Sequence, residues 1–168
     1  MQRWGKNYWV TYATVVSWIN IRVLFILSLI FNLKTRSLEF VLAFLDVDIF
    51  LELPVGFETA DGNPKMFVLK LEKNLYGLKQ ATYNWFELLN SGLEARGFKS
   101  RDSDPCVFVR KDAIILTNVD DCIILLKEKS TADKIICSFE KGNENFDFTN
   151  DGDLEQYLGM NLTLEDGK

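Results

Sequence analysis

The stretch Ala113-Ile-Ile-Leu-Thr-Asn-Val-Asp120-Asp121-Cys-Ile-Ile-Leu-Leu126 contains two strongly apolar runs on either side of an aspartate pair. Both runs are rich in β-branched and aliphatic residues, which is typical of strands buried in a core. Because only the two aspartates separate them, the pattern predicts a β-hairpin with strands over 113–119 and 122–126. The aspartates then lie at the tip of a hairpin whose strands belong to the core.

The adjacent carboxylates of Asp120 and Asp121 leave two interpretations open. Asp is common in tight turns because it tolerates unusual backbone angles, which accounts for one aspartate more readily than for two. Two like charges also repel each other unless a cation lies beside them. Mg²⁺ commonly binds through one or two carboxylates together with substrate phosphate oxygens, so a metal site is the second interpretation.

The composition restricts the chemistry further. The 168 residues include no histidine, which excludes Ser-His-Asp and Cys-His nucleophilic centres and His-ligated metals within this chain. Cys106, Cys122 and Cys137 have no C-x-x-C spacing, which argues against a disulfide framework or a zinc site and favours a reducing, intracellular compartment. The net charge of −5 argues against a free-standing basic nucleic-acid-binding domain.

Helical and extended patterns alternate along the rest of the chain. They predict helices over 14–33, 80–96 and 130–140, an extended segment over 146–148, and further strands over 37–44, 49–53, 66–71, 106–111 and 158–164. The strands over 49–53 and 66–71 form a second hairpin, because a Pro- and Gly-containing connection separates them. This order predicts an α+β fold, with a mainly antiparallel sheet and helices packed on one face.

The segment 15–33 is the most apolar part of the chain. Its apolar run, 23–31, is interrupted only by Ser28 and is short for a bilayer span, and a span would place Asn20 and Arg22 in hydrocarbon. A helix buried in the core is therefore favoured over the alternative of a membrane anchor, and we expect no transmembrane span and no secretion.

Several sequence blocks resemble those of reverse transcriptases. Asn118-Val-Asp-Asp121, between two strands, is similar to the Tyr-x-Asp-Asp motif of that family. Further blocks resemble the copia-type retrotransposon branch in the same order: Tyr8–Val16, Leu51–Phe57, Asn74-Leu-Tyr-Gly-Leu-Lys-Gln-Ala81 with Trp85-Phe86, Gly97-Phe-Lys99 with Asp104–Phe108, and Tyr157-Leu-Gly-Met160. Residues 1–168 thus resemble a partial reverse transcriptase domain with fingers and palm, truncated at both ends.

The resemblance implies an RNA-directed DNA polymerase. Such enzymes use two Mg²⁺ ions, with Mn²⁺ as a substitute, to align a primer 3′-hydroxyl with the α-phosphate of a dNTP. By position, Glu39, Asp120 and Asp121 would be the catalytic carboxylates and metal ligands.

The same resemblance assigns substrate contacts. Phe44 would be the aromatic gate against the ribose 2′-hydroxyl, and Gln80 would lie along the nucleotide pocket with Lys79 beside it. A core aromatic at Phe44 and an exposed helix-start residue at Gln80 are the structural alternatives. Four residues would belong to the primer site: Asn118, Tyr157, Leu158 and Gly159.

The implied partners follow from the same family. They are an RNA or DNA template-primer, a dNTP, and the integrase and ribonuclease H segments of a polyprotein. The implied location is intracellular, in the cytoplasm or in virus-like particles.

The chain departs from the family pattern at the site itself. Glu39 replaces an Asp, Asn118 replaces a Tyr, and the loop containing Asp46 and Asp48 is shorter than in the family. Glu is one methylene longer than Asp, and a ligand displaced by about 1 Å costs on the order of 10²-fold in rate. Asp46 or Asp48 is either a replacement ligand or an exposed loop carboxylate. We therefore expect a weak polymerase, with a catalytically inactive retroelement remnant that retains some nucleic-acid binding as the alternative.

Overall fold

The computed structural model describes residues 5, 14–41, 49–57, 67–71, 78, 80–141 and 146–162. Helices and strands follow one another in this part of the chain. In chain order they are α1 (Trp18–Ile30), β1 (Lys34–Phe40), β2 (Ile49–Glu52), β3 (Val68–Leu71), α2 (Ala81–Ala95), β4 (Lys99–Arg101), β5 (Asp104–Val109), β6 (Ala113–Asn118), β7 (Asp121–Leu126), α3 (Lys129–Phe139), β8 (Phe148–Gly152), β9 (Gln156–Tyr157) and β10 (Met160–Asn161).

A six-stranded sheet in the order β4-β5-β6-β7-β1-β8 forms the centre of the fold. Each neighbouring pair in this sheet is antiparallel. The predicted hairpin is present as β6 and β7, and β7 lies between β6 and β1. Every residue of β7 after Asp121 is buried, because both faces of the sheet are covered. The α+β class and the mainly antiparallel sheet are therefore confirmed.

The helices cover the two faces of this sheet unequally. Cys122, Ile124 and Leu126 of β7 pack in one apolar cluster with residues of α2 and α3. The alternate residues Ile123 and Leu125 pack in a second cluster with residues of α1. Since successive side chains of a strand point to opposite faces, α2 and α3 share one face as predicted, whereas α1 lies on the other. The expectation that all helices lie on one face is therefore wrong for α1. The reason is that β7 is apolar on both faces, so each face is covered by a helix.

The first helix is shorter than the predicted 14–33. It begins after Ser17, whose side chain accepts a hydrogen bond from the Ile19 amide. The carboxylate of the buried Asp104 accepts hydrogen bonds from the Ser17 amide at 3.0 Å and from the Asn20 side chain at 2.7 Å, which ties the helix start to β5. The helix ends before Asn32, whose φ is 49°. No helix in the described ranges is long and apolar enough to cross a bilayer.

The smaller elements agree with the patterns in kind and differ in their bounds. The predicted second hairpin is present as the antiparallel pair β2 and β3. The helix predicted over 80–96 ends at Ala95, and Gly97 follows it with a φ of 81°. The short polar edge strand β4 was not predicted, because Lys99-Ser-Arg101 has no apolar alternation. In place of the single strand predicted over 158–164, the described residues form two antiparallel strands of two residues each, β9 and β10.

Candidate active site

Backbone pairing brings the predicted carboxylates together at one end of the central strands. Glu39 of β1 is the direct partner of Asp121 of β7, and Asn118 of β6 pairs with Asp121 from the other side. The Phe40 amide donates a 2.8 Å hydrogen bond to the carbonyl of Asp120. Direct partners in an antiparallel pair project their side chains from the same face of the sheet. Glu39, Asn118 and Asp121 therefore share the face that α1 covers.

The electrostatics of Asp121 reflect this crowding. Its side chain is half-buried, and burial raises the pKa of its carboxyl above the ordinary value. The negative charges of Asp120, Glu39 and Asp151 raise that pKa further, in decreasing order. Asp151, in β8, is a fourth carboxylate that the sequence did not indicate, because it belongs to no motif. Only the pairing of β8 with β1 brings it near Asp121. A cation beside Asp121 would relieve both causes of the shift.

The turn that joins β6 and β7 has an unusual backbone. Val119 has a φ of 58°, the left-handed region that a β-branched residue rarely adopts. Its carbonyl accepts a 2.7 Å hydrogen bond from the indole Nε1–H of Trp85 in α2. The Trp85 ring lies 5.7 Å from the ring of Phe40, edge-on, within the cluster behind the sheet. The turn is thus fixed from α2 as well as from β1.

Among the predicted primer-site residues, Tyr157 ends β9, and Leu158 and Gly159 connect β9 to β10. Leu158 and Gly159 have φ values of 47° and 78°, which shape this turn. Tyr157 is only 4% exposed and contacts Phe25 of α1 edge-on, at 6.1 Å between ring centroids. Its hydroxyl has no hydrogen-bond partner among the described residues. Burial raises the pKa of Tyr157 strongly, and the nearby charge of Asp121 adds to the rise.

The predicted nucleotide-binding residues are only partly described. Gln80 is half-buried at the start of α2, where its carbonyl accepts a 2.9 Å hydrogen bond from the Asn84 amide. It therefore lies on the same helix that contacts the β6–β7 turn through Trp85. Phe44, Lys79 and the alternative ligands Asp46 and Asp48 lie outside the described residues.

The donor chemistry of the site suits a hard divalent cation, since Glu39, Asp120, Asp121 and Asp151 offer carboxylate oxygens. No group of three or more His, Cys, Asp or Glu side chains is gathered closely enough to hold a metal ion within the described ranges. The ligand types therefore fit Mg²⁺, while the backbone pairing places them side by side and not yet around one point.

Comparison with known proteins decides the family. A family model described as reverse transcriptase (RNA-dependent DNA polymerase) matches residues 1–168. The chain belongs to the reverse transcriptase family. This reverse transcriptase chain is 33% identical over 173 residues to the retrovirus-related Pol polyprotein from transposon TNT 1-94 of Nicotiana tabacum. No solved structure matches it.

Two further relatives support the same branch. The Pol polyprotein from transposon RE1 of Arabidopsis thaliana is 29% identical over 167 residues. The truncated transposon Ty1-A Gag-Pol polyprotein of Saccharomyces cerevisiae is 33% identical over 113 residues. The alignments cover 98%, 95% and 60% of this reverse transcriptase chain but 13%, 11% and 9% of the TNT 1-94, RE1 and Ty1-A proteins. The predicted resemblance to a copia-type reverse transcriptase is confirmed.

Proposed function

We propose that this chain is the fingers-and-palm part of an RNA-directed DNA polymerase and that Glu39, Asp120 and Asp121 hold its divalent cations. The observation that carries this proposal is the direct pairing of Glu39 with Asp121 beside the hairpin turn. Two strands that are distant in sequence thereby present neighbouring carboxylates, and the family match covers both strands.

The electrostatics support a cation at this point. Asp121 is half-buried among three other carboxylates, so its charged form is disfavoured without a counter-ion. When bound, the metal ions would align the primer 3′-hydroxyl with the dNTP α-phosphate and offset the charge that develops during transfer. The chain contributes by holding the Glu39, Asp120 and Asp121 carboxylates next to one another, at the end of β1 and at the β6–β7 turn.

Substrate contacts follow from the family positions. Phe44, Gln80 and Lys79 would contact the incoming dNTP, and Asn118, Tyr157, Leu158 and Gly159 would border the primer end. The buried hydroxyl of Tyr157 favours a supporting role for this residue beneath the primer, with Leu158 and Gly159 nearer the surface. The relatives are Pol or Gag-Pol polyproteins, so integrase and ribonuclease H segments are the proposed companions, in the cytoplasm or in virus-like particles.

The substitutions at Glu39 and Asn118 are proposed to slow the reaction. The longer Glu39 side chain moves a ligand oxygen by about 1 Å, and misplacement of that size costs on the order of 10²-fold in rate. Asn118 also removes the ring that would border the primer terminus. We therefore expect measurable but slow extension.

A primer-extension assay tests this proposal. Wild-type protein is incubated with a primed RNA template, dNTPs and either Mg²⁺ or Mn²⁺, beside the double variant Asp120→Asn/Asp121→Asn. The exposed pair Glu128→Gln/Asp133→Asn is the matched control, because it removes the same charge away from the turn. We expect extension by the wild type and the control only. Equal background incorporation by all three proteins would exclude catalysis.

An inactive remnant with residual nucleic-acid binding is the second candidate function. The lack of a gathered three-ligand site within the described ranges favours the loss of catalysis, and the net charge of −5 predicts that any nucleic-acid binding is weak. Under this alternative, a mobility shift of primed RNA would persist without extension and would weaken as salt rises, because phosphate contacts release counter-ions. The extension assay run beside the mobility shift distinguishes the two candidates.

A further inference from the structure

We propose that Trp85 is a positioning residue that fixes the carboxylate-bearing hairpin turn from behind the sheet. The inference rests on the proposed function for its catalytic consequence, although the positioning itself is a structural property. Its basis is the 2.7 Å hydrogen bond from the Trp85 indole N–H to the Val119 carbonyl, which immediately precedes Asp120.

The turn needs such a fixed contact because its backbone is strained. Val119 has a φ of 58°, where the Cβ of an L residue crowds the following carbonyl, and its β-branch adds to the crowding. Strained backbone persists only where the surroundings determine it. The indole N–H donates specifically to the carbonyl of Val119, so it stabilises the turn conformation that places Asp120 and Asp121 at the hairpin tip.

Trp85 also contacts the second carboxylate-bearing strand. The ring of Phe40, the residue after Glu39, packs edge-on against Trp85 at 5.7 Å. The Phe40 amide in turn donates to the Asp120 carbonyl at 2.8 Å. One side chain is therefore linked both to the turn before Asp120 and to the residue after Glu39. Movement of either strand relative to the other would disturb contacts of Trp85.

The contacts of Trp85 are made on the face opposite to the carboxylates. Phe40 and Trp85 belong to the cluster formed with α2 and α3, whereas Glu39 and Asp121 project from the face of α1. Trp85 is 3% exposed and lies behind the sheet, so it acts through the backbone and not through the substrate. That arrangement distinguishes a positioning residue from a catalytic one.

The test compares Trp85→Phe, which keeps a buried ring but removes the donor, with Trp18→Phe at a tryptophan that is 51% exposed. Amide hydrogen exchange is followed by NMR at Phe40, whose amide bonds to Asp120, and at Ile124 in the central strand as a reporter of global opening. We expect at least about tenfold faster exchange at Phe40 relative to Ile124 in Trp85→Phe, and no change in Trp18→Phe. Parallel changes at both amides would overturn the positioning role.

A second pair of variants, made in a protein that carries Val119→Gly, distinguishes the effect of the Trp85 hydrogen bond from the effect of ring packing. Val119→Gly removes the Cβ that is crowded at a φ of 58°, so the turn no longer depends on an external donor. In that background, Trp85→Phe is expected to change the Phe40 exchange ratio by less than about threefold. An undiminished effect would mean that only ring packing matters and would overturn the proposal.

A measurement on the wild-type protein tests the hydrogen bond even if the variants fold poorly. The indole proton of Trp85 is expected to exchange much more slowly than that of Trp18, and equal exchange would contradict the hydrogen bond. In the extension assay, Trp85→Phe should lower kcat about tenfold with little change in the KM for dNTP, because turn geometry and not substrate contact is altered. If the wild type gives no extension, the polymerase proposal fails, while the exchange data still decide the positioning role.

Discussion

Replacing Asp121 with Asn is expected to stabilise the metal-free protein at neutral pH. Asp121 lies directly opposite Glu39, with Asp120 and Asp151 close enough to raise the pKa of its carboxyl. A site that holds carboxylates together for a cation is under repulsion when the cation is absent. Removing one charge relieves that repulsion, whereas most substitutions in a folded protein destabilise it.

The size of the effect follows from the strand geometry. Directly opposed residues on antiparallel strands have Cβ atoms about 5 Å apart. At that separation two unit charges repel by about 0.8 kcal/mol in water-like surroundings, which is the appropriate case for a half-exposed carboxyl. Asp120 contributes at least as much as Glu39 and Asp151 contributes less, so the expected gain in the free energy of unfolding is about 2 kcal/mol at low ionic strength. Screening should reduce it to about half near 0.15 M salt.

The dependence on pH has a defined sign. Because the pKa of Asp121 is raised in the folded protein, the wild type is relatively more stable when this carboxyl is protonated. That stability is fully present below the ordinary pKa of aspartate, about 4, and is lost as the pH rises through the raised value. The difference between Asp121→Asn and wild type should therefore be small at low pH and reach its full size by pH 7.

Urea denaturation in EDTA at several pH values and two salt concentrations measures these effects, with Asp133→Asn as the exposed control. Adding Mg²⁺ should then stabilise the wild type more than the variant, by about 1.4 kcal/mol for each tenfold excess over Kd. A variant that is less stable than wild type at pH 7 in EDTA, or a difference that does not respond to salt, would show that charge repulsion at Asp121 does not destabilise the wild type.

Other substitutions test the site and its support. Glu39→Asp combined with Asn118→Tyr should raise primer extension by at least about tenfold; no gain would mean that these substitutions do not limit the rate. Asp104→Ala should lower the free energy of unfolding by about 1–3 kcal/mol in urea titrations, because the buried carboxylate accepts from the Ser17 amide and the Asn20 side chain. Gly97→Ala should cost about 1 kcal/mol in the same titrations because its φ is 81°; an unchanged midpoint would contradict this.

The sequence predicted those parts of the fold that have a strong local pattern. The β6–β7 hairpin follows from two apolar runs around Asp120 and Asp121, and both strands are present. The end of α2 follows from Gly97, whose φ of 81° confirms the predicted helix stop. The short edge strand β4 lacks such a pattern, since its pairing with β5 and not its own composition makes it a strand.

The candidate carboxylates could be selected from the sequence, but the residues that surround and support them could not. The resemblance to the family selected Glu39, Asp120 and Asp121, and the strand register brings Glu39 opposite Asp121. By contrast, the contributions of Asp151 and Trp85 depend on which strand lies next to β1 and on where α2 crosses the turn. These are long-range properties of the folded chain, so no spacing within the sequence encodes them.

The assignment of Glu39, Asp120 and Asp121 as metal ligands is best tested by a crystal structure of the protein with Mn²⁺, with data collected at a wavelength where manganese scatters anomalously. We expect an anomalous peak from a manganese ion bound by carboxylate oxygens of Asp120 or Asp121 together with Glu39. We expect this peak to be absent from Asp120→Asn/Asp121→Asn crystals grown in the same way. Manganese bound only elsewhere, or an unchanged peak in the double variant, would contradict the assignment of these residues as the metal site.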